Sequence, residues 1–313
     1  MFKLPLFVLS LCLWQIPSAY ADTRAHVAVG QIVEHPALNS LREGLKKGLE
    51  QQGFVEGKNL EWTYENAQGN PTTAVQISKK LVSLNPNVIV TLSTPMTQAV
   101  LTVTSSIPIV FGAVTDPVTA KLTGHQNVTG LTDFVPPEKQ LELVKTFFPQ
   151  VKAIGVVYNS GEANSVKQVQ DLKEVAQKQN IIIIESTISK SSDVSSATKT
   201  LVGKVDAILL PTDNTVITAL ESIIKIGETY NIPVFGSDVD IVKRGATAAY
   251  GVNWTESGLS LAETIAKILK GVPVNTLPIQ DPPQLLFYIN LHAAKKAGIN
   301  VPDSLQKRAD MLL

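Results

Sequence analysis

Six short stretches of this 313-residue chain hold the side chains best suited to chemistry, and all six have one form. An apolar run rich in Val and Ile stops at a cluster of small polar residues, and a segment of helical period follows. The stretches are QIVEHPALN (31–39), TLSTPM (91–96), AVTDPV (113–118), YNSGEANS (158–165), LPTDNT (210–215) and GSDVD (236–240). Ser, Thr, Asp and Asn there suit N-cap positions, with proline at the first helical position in Thr94-Pro95 and Asp116-Pro117. Capping explains any one of these residues. Six such turns at strand ends explain more, because ligands of parallel α/β sheets bind where helix N-termini point.

Free N–H groups and hydroxyls at helix starts suit a carboxylate or another small anion. Asp116, Asp213 and Asp238 could meet an ammonium, since a desolvated cation needs a paired carboxylate. An α-amino acid carries both charges on one carbon, so a small zwitterion is the expected ligand class. His35 lies in the first of these loops and is a further candidate contact.

Other chemistries find no pattern. The phosphate loop ending in Gly-Lys-Ser/Thr is absent, as are Gly-x-Gly-x-x-Gly at a strand-to-helix turn and the Gly-x-Ser-x-Gly elbow. His26, His35, His125 and His292 are scattered without metal-ligand spacing. The expectation is a binding protein without metal or cofactor, and not an enzyme. A hydrolase of small amides would lack its nucleophile and base. A ligand-sensing input protein for a membrane receptor would use the same loops and stays open as an alternative.

The elements that must position these loops alternate in type. Runs at 25–33, 59–66, 87–92 and 107–112 read as strands, with helical periodicity at 37–52, 72–85 and 95–105. Strands at 152–159, 181–187, 206–211 and 232–237 then alternate with a helix whose Val166, Val169, Leu172 and Ala176 share one face, and with helices near 192–203 and near 215–229. Such alternation predicts right-handed crossovers and parallel sheets. NVIVTLSTPMTQAV (87–100) matches DAILLPTDNTVITA (206–219) in order and character, and IPIVFGAVTDP (107–117) matches IPVFGSDVD (232–240). The chain therefore reads as a duplicated α/β unit.

Two lobes need junctions, and 132–140, 248–258 and 272–284 suit them, the first and last through paired prolines. The predicted lobes are 22–134 plus 252–278, and 135–251 plus 279–313, with a ligand cleft between them. Residues 1–21 have one basic residue, an apolar run and a small-x-small end at Ala19-Tyr20-Ala21. They read as an export signal cleaved after Ala21, which places the protein in the periplasm. Cys12, the only cysteine, would leave with it; Leu11 before it argues against a lipoprotein. The 27 basic and 27 acidic side chains form no basic run to suggest nucleic acid. A monomer is expected.

Taken in order, EHPALN, GFVEGKN, YENAQGNP, FGAVTDPV, GLTDF, YNSGEANSVKQV, GKVDAILLPTDNTV and VFGSDVDIVKRGA resemble one family. It is the tryptophan/tyrosine-type group of periplasmic substrate-binding proteins of ABC transporters. The resemblance implies a type I periplasmic-binding fold, two Rossmann-like lobes closing on a ligand, and delivery to a membrane permease with its ATPase. It also implies ligand-facing roles for Ser93, Thr94, Thr115 and Asp116 in one lobe. In the other it implies them for Asn159, Ser160, Glu162, Asn164, Asp213, Asn214, Thr215 and Asp238. Asn39 departs from the pattern, which usually has aspartate there. Phe134, Tyr158, Phe235 and Trp254 could form a ring-stacking wall or pack in the core.

Overall fold

The computed structural model describes residues 24–313, so the export signal expected at 1–21 lies outside the described residues. The first sheet contains β1 (Ala25–Gln31), β2 (Leu60–Asn66), β3 (Val88–Leu92), β4 (Ile109–Val114) and β5 (Val128–Thr132). Helices α1 (Pro36–Gln51), α2 (Pro71–Ser83) and α3 (Thr94–Leu101) connect its strands. Then follow α4 (Pro137–Phe147), β6 (Ala153–Asn159), α5 (Ala163–Gln177), β7 (Ile182–Ile188), α6 (Val194–Lys199) and β8 (Ala207–Leu210). The chain continues through α7 (Leu220–Tyr230), β9 (Val234–Gly236), α8 (Asp240–Lys243) and β10 (Ala248–Val252). It ends with α9 (Trp254–Leu269), β11 (Leu285–Ile289), α10 (Leu291–Lys296), α11 (Asp303–Gln306) and β12 (Met311–Leu312).

The first sheet runs β2-β1-β3-β4-β5, and the second β12-β11-β10-β9-β8-β6-β7. Reading the second from β7 gives β7-β6-β8-β9-β10, the same winding as the first. The duplication is thus present in topology. Strands β3, β4 and β5 are buried at every position because helices cover both faces, which is why they read as unbroken apolar runs. On α1 the residues Leu38, Leu41, Leu45 and Leu49 recur at helical spacing and are all buried.

Two elements differ from the sequence reading. Strand β11 runs antiparallel to β10 while every other named pair is parallel. The chain re-enters the second sheet beside the end of β10, with Val252 opposite Leu285 and Asn253 N–H bonded to Gln284 O, so it must run back. The helix expected near 215–229 begins at Leu220. Asp213 Oδ1 holds the N–H groups of Thr215 and Val216, so the preceding residues form a capped turn.

Helix α9 packs on the first sheet's side of the molecule, against α1. The crossing is so close that only glycine fits. A Cβ on Gly258 would lie 2.3 Å from Leu41 O, and one on Gly44 would lie 2.5 Å from Thr255 O. Two of the inter-lobe crossings are also tied to each other. Thr132 N–H bonds Gln280 O, Gln280 N–H bonds Gly130 O, and Thr132 Oγ1 donates to Asp281.

Candidate functional site

The loops after β1, β3, β4 and β5 face those after β6, β8 and β9 across a cleft. Ser93 ends β3 and precedes α3 with φ +95 and ψ 157, a region that suits glycine and costs other residues on the order of 1–3 kcal/mol. Its N–H is held by Gly112 O, and its side chain does not cap the helix. Ser93 Oγ and Thr94 Oγ1 are instead buried and unpartnered at the start of α3. Those hydroxyls, with the positive end of the helix, suit a carboxylate.

Asp133 follows β5 and is 2% exposed, and neither of its carboxylate oxygens has a hydrogen-bond partner. Burial raises its pKa to about 6; the nearby Thr115 hydroxyl opposes that rise without completing a bond. An ammonium placed here would restore the ionised form. Sequence reasoning passed over Asp133, although it stands in the GLTDF run. The neighbouring candidate Asp116 is already engaged. Its Oδ1 accepts from Val118 and Thr119 N–H, and its Oδ2 from Thr119 Oγ1.

The second side is internally bonded. Glu162 Oε2 accepts from Asn214 N–H and Nδ2, and its Oε1 accepts from Thr215 N–H and Oγ1. Asp213 Oδ2 accepts from Asn159 N–H, and Asn159 Nδ2 donates to Thr215 Oγ1. Burial, and then the Glu162 charge, raise Asp213 to about 7. Asn164 donates to Thr212 O, leaving its own Oδ1 buried and unpartnered. Asp238 accepts from Asp240 N–H and from Trp254 Nε1; burial, then Asp240, raise it to about 6. Ser160 sits exposed at the mouth. Here a cavity of about 600 Å³ is lined by Pro71, Val75, Pro95 and Ala99 on one side and by Asn159, Ser160, Glu162, Asn214 and Thr215 on the other.

Among the described residues, the buried side-chain atoms without a partner belong to His35, Ser93, Thr94, Asp133, Asn164 and Ser257. Every one follows the carboxyl end of a strand. Buried polar groups in folded proteins are nearly always satisfied, so this concentration marks where a polar ligand would sit. Ser257, in the first turn of α9, was not signalled by the sequence.

The two sides also touch directly. Gln168 Nε2 on α5 donates to Thr115 Oγ1 at 3.2 Å, while its Oε1 accepts from Thr212 N–H. Lys167 lies 3.9 Å from Asp116, and Trp254 reaches Asp238 at 3.3 Å. Of the four aromatic candidates, Tyr158 and Phe235 pack in the second core, Phe235 edge-on to Phe147. Trp254 lies in the first core, and Phe134 is partly exposed beside Asp133. Asn39 accepts from Gln31 Nε2 and so braces its loop.

The family of ABC transporter substrate binding proteins matches residues 26–312. The chain belongs to this family. Proteins of the ABC substrate-binding family are extracytoplasmic, bind small molecules and work with ABC permeases. The chain is 37% identical over 270 residues to a tyrosine-binding protein of Clostridioides difficile (strain R20291), covering 85% of this chain and 78% of that one. Among solved structures, an ABC domain of Streptococcus pneumonia in complex with L-Trp superposes with a TM-score of 0.89 at 28% identity. The match covers 93% of this chain and all of the other. A substrate binding protein with adhesive properties from Clostridium difficile, in its ligand-free, open structure, gives 0.70 at 36% identity over 92% and 98% of the chains. The fold is that of the type I periplasmic binding proteins. Among the described residues, no helix of this ABC substrate-binding chain is long and apolar enough to cross a membrane.

Proposed function

We propose that this protein captures an aromatic amino acid outside the cytoplasm and hands it to an ABC permease. The ligand carboxylate sits at the start of α3 against Ser93 and Thr94, and its ammonium pairs with Asp133 beside Thr115. Asn164 and the Asp213 and Asp238 loops close over it from the second lobe. The observation that carries this reading is the cluster of buried, unpartnered polar atoms, in which two hydroxyls at a helix start face the needs of an anion and a lone carboxylate those of a cation. The names of the relatives, one tyrosine-binding and one holding L-Trp, support the aromatic choice.

Residues 24–134 with 252–278 move as one body, and 135–251 with 279–313 as the other. The closer superposition on the L-Trp complex, despite its lower identity, supports reading the described arrangement as the closed one. Ligand stabilises that state only through contacts it lacks in the open one. The protein is monomeric, not catalytic, and exported to the periplasm with cleavage after Ala21.

Calorimetry against the common amino acids tests this. L-tryptophan or L-tyrosine should bind, and Asp133→Asn should weaken that binding by about 3 kcal/mol, roughly a hundredfold. An unchanged affinity in Asp133→Asn would remove the ammonium assignment.

A further inference from the structure

His35 belongs by its backbone to the first lobe, between β1 and α1, yet its side chain is not used there. The residue stands at the N-cap of α1 with extended backbone and makes no capping bond. It lines a cavity of about 20 Å³ whose other walls all come from the second lobe, among them Pro211, Asp213, Asn214, Ser237, Asp238 and Ile241. The Nδ1 atom is shut off from solvent without a partner, and the Asn214 side chain lies beside the ring. The loop that carries His35 is fixed from behind. Gln31 donates to Val33 O and to Asn39 Oδ1, and Arg42 donates to Gln31 Oε1.

We propose that His35 is the positioning residue that latches the lobes shut, its ring docking against a second-lobe socket that meets it only on closure. The proposal rests on the two-lobe closing motion described above, and it concerns how the site is held and released, not which ligand it takes. The socket joins the ring to the bonded loop of the second lobe, since Asn214 is clamped by Glu162 and Asp213 caps the same turn. Docking of His35 therefore reports to the loop that covers the ligand.

The socket selects the neutral ring. Arg244 and Asp240 act on it from α8 and its end, and Asp213 and Asp238 line it from the loops after β8 and β9. Glu162 reaches it only through Asn214. Burial, then the Arg244 charge, hold the docked ring's pKa near 4 against an ordinary 6.5. Below pH 6.5 the free ring carries a proton that it must lose to dock. Closure then weakens by roughly 25- to 30-fold between pH 7.5 and pH 5.

Asp116 and Lys167 meet across the cleft rim, so cysteines at those two positions in a Cys12→Ala background, bridged by a short thiol crosslinker, count closed molecules with or without ligand. His35→Ala should slow crosslinking several-fold. It should also raise the L-tryptophan dissociation rate about tenfold with little change in the association rate. His35→Gln should retain most of the crosslinking at pH 7.5 but lose the part of its fall toward pH 5 that the ring supplies; the titrations of Asp133, Asp213 and Asp238 are common to both proteins. Equal crosslinking in His35→Ala and its parent overturns the latch, even where L-tryptophan binds. A slowed His35→Ala in a protein that takes up neither L-tryptophan nor L-tyrosine upholds the latch and overturns the aromatic ligand instead. A pH profile in His35→Gln identical to that of the parent removes the proton dependence and with it the selection for a neutral ring.

Discussion

The two sides of the cleft have the same strand order but treat their polar groups in opposite ways. On the first side, Ser93, Thr94 and Asp133 are buried with free hydrogen-bonding capacity, and Ser93 is held in a strained backbone. On the second, Glu162 and Asp213 spend their carboxylates on the loop that follows β8. One side keeps polar groups free to take a ligand, while the other uses its own to keep its shape. On the proposed reading, a duplicated fold has divided the work: the first lobe grips, and the second arrives as a preformed cover.

Substitutions on the two sides should therefore separate affinity from stability. Asp133→Asn is the sharpest, with its roughly hundredfold loss of affinity. It should at the same time stabilise the ligand-free protein by about 1–3 kcal/mol at pH 8, because an unpaired buried charge disappears. Glu162→Ala should do the reverse, lowering unfolding free energy by about 2–3 kcal/mol through the donors it leaves unsatisfied. A Glu162→Ala protein with unchanged denaturant midpoint would erase the proposed division.

A pH series gives the next effect in size. Asp133 and Asp238 are raised to about 6 and Asp213 to about 7, so the folded protein holds protons that the unfolded chain has released. Their contribution is complete below the unfolded value near 4 and is lost as pH rises through 6 to 7. His35, lowered to about 4, opposes this by losing stability as pH falls below 6.5. With three carboxyls against one imidazole, the ligand-free melting temperature should be higher at pH 5 than at pH 8. Bound ligand should narrow that gap by ionising Asp133. Smallest is Ser93→Gly, which should relax the backbone for a gain of about 1 kcal/mol in stability while costing the ligand a hydroxyl and up to about tenfold in affinity.

Much of this was legible in the chain because the signals are local. Val- and Ile-rich runs ending in Ser, Thr and Asp marked six of the seven loops around the cleft, all but the one after β5, and the paired IPIVFG and IPVFG segments pointed to the duplication. The strand reversal at β11 was not legible, since antiparallel pairing there follows from where the chain re-enters the sheet. Nor was the difference among the aspartates. Asp116, Asp213 and Asp238 look alike in sequence to Asp133, but their partners are backbone N–H groups two or three residues on, or distant groups such as Asn159 and Trp254. Asp133 lacks such partners because it leaves β5 into an inter-lobe crossing and not into a capped helix. Gln168 was hidden for another reason: a glutamine among the polar residues of a helix carries no mark of what it will touch.

The glycine-lined crossing of α1 and α9 also bears on how the molecule comes to exist. The first sheet and its connecting helices end at residue 132, but the helix that covers α1 begins at Trp254. More than a hundred residues, and with them most of the second lobe, must be made before that surface is closed. The first lobe cannot mature as an independent unit while the chain is still being made, and contacts so distant in sequence slow folding. The late covering of α1 leaves that helix face open until the chain has been made past residue 254, a delay that suits a protein of an extracytoplasmic family.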